Sequence, residues 1–274
     1  MDSIPRSLPL TILEKLSILF SDYFINHIKH EYIYQLLNDI QWERYIQQKS
    51  KHTSMPYPLF PTNITPDYVF NETHITIWKD ILLKWNDSMI IRQELTDKFM
   101  EQIYQTTLFH RVYDCLQSSN IFNGDRLQFK DYFHQIWFHQ YSWNQMSTKS
   151  ISNTCGFQHV FIGDIYNSCV KGLHHWKRYY ILERIGQLQL HNIYKKHSKL
   201  YISSMKFEVD HCLKPYGTIF FGLTIDFEIL LYFCAFLINV NRQVNFIIDN
   251  EQITVVCYDV AMQNNALATA FIKY

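Results

Sequence analysis

The sequence predicts an α+β protein, a helical N-terminal lobe followed by a C-terminal lobe of antiparallel β-sheets with packed helices. Two observations carry this. Apolar residues recur at intervals of three and four through the first half, as in Leu13, Leu16, Leu19 and Phe20, the spacing that lines one helix face. In the second half, short β-branched and aromatic runs alternate with glycines at 163, 172, 186, 217 and 222, the punctuation of strands joined by tight turns. Helical periodicity spans about Leu10 to Gln48, continuing through Phe24, Ile28, Tyr34, Leu36 and Leu37. Pro56, Pro58, Pro61 and Pro66 make about Lys49 to Thr73 a surface loop, because proline removes a donor and restricts its predecessor. A second helical block runs from about Thr76 to Gln145, broken where SSNIFNG at 118–124 supplies turn residues.

A lobe boundary is expected at 148/149, where TKSISNTCG is polar and turn-rich, giving lobes 1–148 and 149–274 of one continuous domain. Beyond it, HVFI at 159–162 and GTIFFG at 217–222 read as strands. Thr224 has the chemistry of a helix N-cap, and Asp226 and Glu228 place negative charge in the first turn of an apolar helix, FEILLYFCAFL. The tail, VNFIIDN, ITVVCYDV and ALATAFIKY, reads as closing antiparallel strands.

Composition narrows the function classes. The chain has 274 residues, enough to bury a sizeable core, with 47% apolar and 18% charged residues, so it is not a disordered or disulfide-stapled chain. Twenty-five basic and 25 acidic residues cancel; any nucleic acid must therefore meet a local basic patch rather than a generally basic surface. Aromatics reach 16%, which supplies stacking partners for unpaired bases as well as core. Cys115, Cys155, Cys169, Cys212, Cys234 and Cys257 have no zinc-like spacing and are expected to be reduced thiols. Glu14 and Lys15 interrupt the first apolar stretch, and no run of 18 apolar residues occurs; a cytoplasmic or nuclear protein with no membrane association is expected, as a monomer. The sequons at Asn63, Asn71 and Asn86 matter only if the chain is secreted.

Three segments of the second half carry chemistry: GFQHVFIGD (156–164), KGLHHW (171–176) and KPYGT (214–218). Two imidazoles can accept and donate protons near neutrality, and a lysine can stabilise charge developing on a phosphoryl group. Taken singly, His159 in an apolar run is more commonly structural, and Lys214 a solvated lysine. The three segments together resemble the EndoU (XendoU-like) family. GFQHVFIGD is similar to its GFEHVFVGE, KGLHHW to its SGLHNW, and KPYGTIFFGLTIDFE to its KxxGSxFxGTSPEFE, in the same order. The likeness extends to MPYPLF, FKDYFHQIWFHQY, LLYFCAFL and LATAF, covering most of the chain from about Pro56 to Phe271.

The resemblance implies a uridylate-specific endoribonuclease acting on single-stranded uridine-containing RNA, stimulated by Mn2+ and leaving 2′,3′-cyclic phosphates. It makes His159, His174 and Lys214 the catalytic residues, with His174 the base on the 2′-OH and His159 the acid, roles that the motifs leave exchangeable. Thr218 stands where the family has a serine at the uracil edge, and Phe271 where it has a tyrosine near the base or sugar; both are substrate-binding candidates. Gln158 replaces a glutamate and His175 an asparagine. Internal attack by the 2′-OH implies that DNA is not cut. No spacing identifies metal ligands, His191, His197, His211 and Cys212 included. The stretch 191–199 fits a phosphate-holding segment or a solvated hairpin tip, and Tyr216 and Trp176 are expected to be packing residues. The alternative is a catalytically weak RNA-binding relative, to which Phe271 and Gln158 would point; an unrelated interaction role is a further one.

Overall fold

A computed structural model describes residues 10–29, 58–60, 64–71, 75–85, 88–142, 154–197, 199–260 and 266–274. It shows the α+β class: helices come first in the chain, and, among the described residues, a two-stranded pair and two larger sheets with packed helices follow. The helical stretch expected over 30–48, most of the proline-rich loop and the 148/149 boundary lie outside these residues.

Helix α1 (Ile12–Tyr23) starts at a capping box in which the Thr11 hydroxyl accepts from the Glu14 amide and Glu14 reaches back to the Thr11 amide, satisfying donors that would otherwise be orphaned. It runs into a wider turn at Phe24–Ile28. Within the proline-rich stretch Pro66 opens a short helix, α2 (Pro66–Asn71); proline is well tolerated there because a first-turn N–H lacks a partner anyway. Among the described residues the block expected over Thr76–Gln145 holds four helices, α3 (Trp78–Lys84), α4 (Met89–Tyr104), α5 (Thr107–Ser118) and α6 (Arg126–Phe138), and its end is not helical, since Gln140–Tyr141 is extended and paired. Ser88, Thr106 and Asp125 cap α4, α5 and α6 with their side chains. These caps mark starts that apolar periodicity alone runs through.

After a two-residue pair, β1 (Gln140–Tyr141) with β2 (Thr154–Cys155), come β3 (Asp164–Tyr166), β4 (Cys169–Lys171), helix α7 (Trp176–Arg184), and β5 (Leu188–Lys196), β6 (Ile202–Val209) and β7 (Cys212–Phe220). These five strands form one sheet in the order β3-β4-β7-β6-β5. The expectation of purely antiparallel pairing is corrected at one place, since β4 meets β7 in parallel through Cys169 and Leu213. Helix α8 (Ile225–Asn239) leads to β8 (Gln243–Ile248), β9 (Glu251–Asp259) and β10 (Leu267–Lys273), an antiparallel three-stranded sheet, as the tail pattern indicates.

Helix α8 is the centre of the core, with Ile225 to Phe236 buried on every face. It is shared by early and late elements: Phe227 meets Phe20 of α1 at 5.2 Å, and Phe233 meets Phe133 of α6 at 4.8 Å. Edge-on packing of this kind suits the ring quadrupoles. Thr224 occupies the N-cap position, but its side chain makes no capping bond. Asp226 and Glu228 do more than complement the helix dipole. Both are wholly buried; Asp226 accepts from the Tyr23 hydroxyl, and Glu228 from Tyr232 and His175. All six cysteines are free.

Candidate active site

One prediction fails where it matters most. Gln158–Ile162 is not a strand but a wide helical turn, closed by the Gly163 amide on the Gln158 carbonyl at 2.8 Å. The β-branched and aromatic residues obey tertiary packing instead: Phe157, Val160 and Phe161 are fully buried, at the three- and four-residue spacing of a helix. Such π-type turns recur at functional sites. Gly163, at φ +89°, ends the turn and sends the chain into β3.

The turn also brings Asp164 back beside His159. The His159 Nδ1–H donates to Asp164 Oδ2 at 3.1 Å, and the carboxylate further accepts from Thr154 Oγ1 and Gln158 Nε2. Asp164 stands inside the GFQHVFIGD motif, yet sequence reasoning gave it no role.

The KGLHHW segment is locked onto this turn backbone to backbone. Leu173 N–H donates to the His159 carbonyl at 2.9 Å and His174 N–H to the Val160 carbonyl at 2.7 Å. Gly172, at φ +63°, lies so close that a Cβ there would sit 1.7 Å from the His159 carbonyl oxygen, so only glycine fits. The third segment closes the arrangement. Lys214 Nζ donates to the Gly172 carbonyl, and the Thr218 carbonyl accepts from His174 Nδ1 at 3.1 Å. That contact assigns the tautomer, because a carbonyl only accepts: Nδ1 carries the proton and Nε2 the lone pair when His174 is neutral.

The three residues singled out from the motifs thus meet at one cleft of about 760 Å³. It lies between the two sheets, with Lys171, Lys214 and Lys195 on one wall and Gln243, Val256, Phe271 and Lys273 on the other. Phe271 lies over His174, ring centres 5.5 Å apart and planes within 23°. Thr218 is buried in the floor, its hydroxyl 3.1 Å from Ser204 Oγ. Tyr216 is not the packing residue expected; it is half exposed and lines the cleft, whereas Trp176 is fully buried and donates to the Leu223 carbonyl.

The charged side chains of the cleft are one-signed. Four lysines line it, and no Asp or Glu does among the described lining residues. Burial lowers the His159 pKa, with Asp164 opposing the shift. Burial, then the charge of Lys214, lowers His174 well below the ordinary 6.5. Lys214 is pushed down to about 8, chiefly by burial and then by Lys171, so it stays mostly charged at neutrality.

The residues present do not fit a metal ion at these histidines. Asp164, the carboxylate beside them, has both oxygens taken up by Thr154, Gln158 and His159. Gln158 offers an amide where the resemblance places a carboxylate. Among the described residues no group of three or more His, Cys, Asp or Glu could hold a metal. His191 is instead bonded to Glu208, and His197 lies 3.7 Å from Glu251. No helix among the described residues is long and apolar enough to cross a membrane.

Residues 85–272 match the family model described as Endoribonuclease XendoU. The chain is similar to uridylate-specific endoribonuclease B of Danio rerio, 27% identical over 172 residues, 59% of this chain and 58% of that protein. It is also similar to the human uridylate-specific endoribonuclease, 31% identical over 53% of this chain and 35% of that one. The chain therefore spans about a third to three fifths of these relatives' length. A solved structure described as XendoU, a splicing-independent snoRNA-processing endoribonuclease, shares the fold at a TM-score of 0.66 and 22% identity, covering 80% of this chain and 83% of that one.

Proposed function

This chain belongs to the endoribonuclease XendoU family, and we propose that it cleaves single-stranded RNA at uridylates by internal attack of the 2′-OH. The observation that carries the proposal is the interlocking of three segments that bring His159, His174 and Lys214 to one lysine-lined cleft.

His174 is the base. Its Nδ1–H is held by a carbonyl and its pKa is depressed, so Nε2 is unprotonated near neutrality and takes the proton of the 2′-OH. The 2′ oxygen attacks phosphorus, and the bond to the 5′ oxygen breaks. His159 protonates that departing oxygen; burial lowers its pKa too, but the Asp164 carboxylate opposes the shift, whereas no carboxylate opposes it at His174, so of the two His159 is the better acid. Lys214 donates to a phosphoryl oxygen as charge builds. The products are a 2′,3′-cyclic phosphate and a free 5′-OH, with no covalent intermediate; DNA, lacking the nucleophile, is not cut. Manganese stimulation, implied by the family resemblance, finds no ligand set at the histidines, and no step here runs through a metal.

Uridine preference follows from the direction of one hydrogen bond. The Ser204 hydroxyl donates to the Tyr274 main-chain oxygen at 2.8 Å, so in the Ser204–Thr218 contact the proton comes from Thr218. Thr218 Oγ1 is left as an acceptor. Uracil offers a donor at N3, where cytosine offers another acceptor.

The test is an RNA oligonucleotide with a single uridine, incubated with manganese or with chelator. Cleavage 3′ to that uridine under both conditions, lost in His174→Ala, is expected. Binding without product would favour the alternative of an RNA-binding relative that has lost catalysis, and chelator-abolished cleavage would overturn the metal-free chemistry.

A further inference from the structure

Two irregularities in the five-stranded sheet do the same thing from different strands. Along β5 the pairing passes from Ile193 with Met205 to Lys195 with Ser204, so Tyr194 is an extra residue in that strand. Along β7 it passes from Gly217 with Met205 to Lys214 with Phe207, leaving Pro215 and Tyr216 outside the ladder. Pro215 has no N–H to contribute, and bulges of this kind re-aim side chains beside functional sites.

The released tyrosines meet although β6 lies between their strands. Their rings stack with centres 5.6 Å apart and planes within 16°. Each hydroxyl is tied down, Tyr194 donating to the Pro215 carbonyl at 3.1 Å and Tyr216 to the Tyr274 main-chain oxygen at 2.7 Å. The pair is thus fixed in place while Tyr194 remains 40% and Tyr216 50% exposed. A strut for the sheet has no need of that exposure. Tyr216 and the neighbouring Lys195 line the same cleft as His159, His174 and Lys214. A rigid, half-exposed aromatic face with a cation beside it matches the repeat of a single-stranded polynucleotide, a base to stack and a phosphate to neutralise.

We infer that the Tyr194–Tyr216 pair is a ledge on which the base next to the cleaved uridine stacks, with Lys195 against the adjoining phosphate. The inference rests on the RNA-cleaving role proposed above and adds a subsite to it. Because every base has a π-face, the ledge requires an unpaired base and tolerates any of the four.

The experiment is a double-mutant cycle read by binding. Oligonucleotides carrying 2′-deoxyuridine at the scissile position, hence uncleavable, contain an abasic site at either flanking position. For the wild-type protein, one of the two abasic substitutions weakens binding about tenfold. In Tyr216→Ala and in Tyr194→Ala the same substitution costs less than about twofold, since the partner ring is already gone; Tyr216→Phe, which keeps the ring and loses only its tether to Tyr274, retains the abasic penalty. Thermal melts confirm that the variants fold, and two independent alanine variants guard against one failing. Equal abasic penalties in wild-type and both alanine variants, at both flanking positions, would overturn the ledge. The all-ribose oligonucleotide, assayed alongside, separates the two proposals. Cleavage without a ledge effect removes the ledge alone, a ledge effect without cleavage removes the reaction alone, and absence of binding removes both.

Discussion

His174 and His175 are consecutive, both are buried, and burial lowers the pKa of both, yet their surroundings engage their ring nitrogens differently. His175 has both ring nitrogens consumed: Nδ1–H donates to Glu228 at 2.6 Å, and Nε2 accepts from the Trp78 indole at 3.1 Å. Tyr232 completes the hub at the other Glu228 oxygen. Three elements, α3, α7 and α8, are joined through that one ring. His174 has Nδ1 held by the Thr218 carbonyl and lies in the wall of the cleft, with Nε2 left for chemistry. On the proposed mechanism, what separates the base His174 from the structural His175 is how many of its ring nitrogens the fold has spent, not its burial.

The largest expected effects set the two residues against each other. His174→Ala is expected to lower kcat by about a thousandfold, the scale of a lost general base, with little change in Tm. His175→Ala would strand the Glu228 carboxylate and the Trp78 N–H in the core and cost about 3–5 kcal/mol of stability, read as a large drop in the denaturant midpoint. A His175 variant of wild-type stability with lost activity would break the contrast.

Asp164→Asn sharpens it by testing which proton His159 handles. The carboxylate raises the His159 pKa against burial; removing it lowers that pKa further. If His159 is the acid, the alkaline limb of the kcat/KM profile moves to lower pH, with a loss of at least about tenfold at neutrality. Movement of the acid limb instead would exchange the roles of the two histidines.

Stability should follow the same logic. His159, His174 and His175 are all held below 6.5 in the folded state, so on acidification the unfolded chain takes up these protons first. Their contribution is full above about 6.5 and is lost as pH falls below it. Melts from pH 7 to 5 should show a declining Tm, and a flat or rising one would contradict it. The smallest effect concerns specificity. Ser204→Ala frees the Thr218 hydroxyl to donate, and the preference for uridine over cytidine should shrink by about two- to tenfold; an unchanged ratio would argue against the hydrogen-bond direction.

Much of this was legible in the sequence, and what was not failed for physical reasons. The α+β class, the buried helix after Thr224 and the closing strands follow from local periodicity. The motifs named His159, His174, Lys214, Thr218 and Phe271, and the fold brings all five to one cleft. Asp164 was missed because 159–162 reads as a strand, and residues five apart on a strand face opposite ways. The helical turn and Gly163 reverse that relation. Glu228 and Trp78 were missed because they lie 53 and 97 positions from His175, a pairing that only tertiary packing creates. Tyr194 and Tyr216 became visible only with the strand register, since a bulge has no simple sequence pattern.

The most direct test of the central claim is the end group left on the RNA. Two oligonucleotides are compared, identical but for the 2′-OH of a single uridine, with products read by mass. A 2′,3′-cyclic phosphate from the ribose substrate, and no cut in its 2′-deoxy twin, is the expected result. Cleavage of both at similar rates, or a 3′-hydroxyl end, would contradict internal attack and the roles given to His159 and His174.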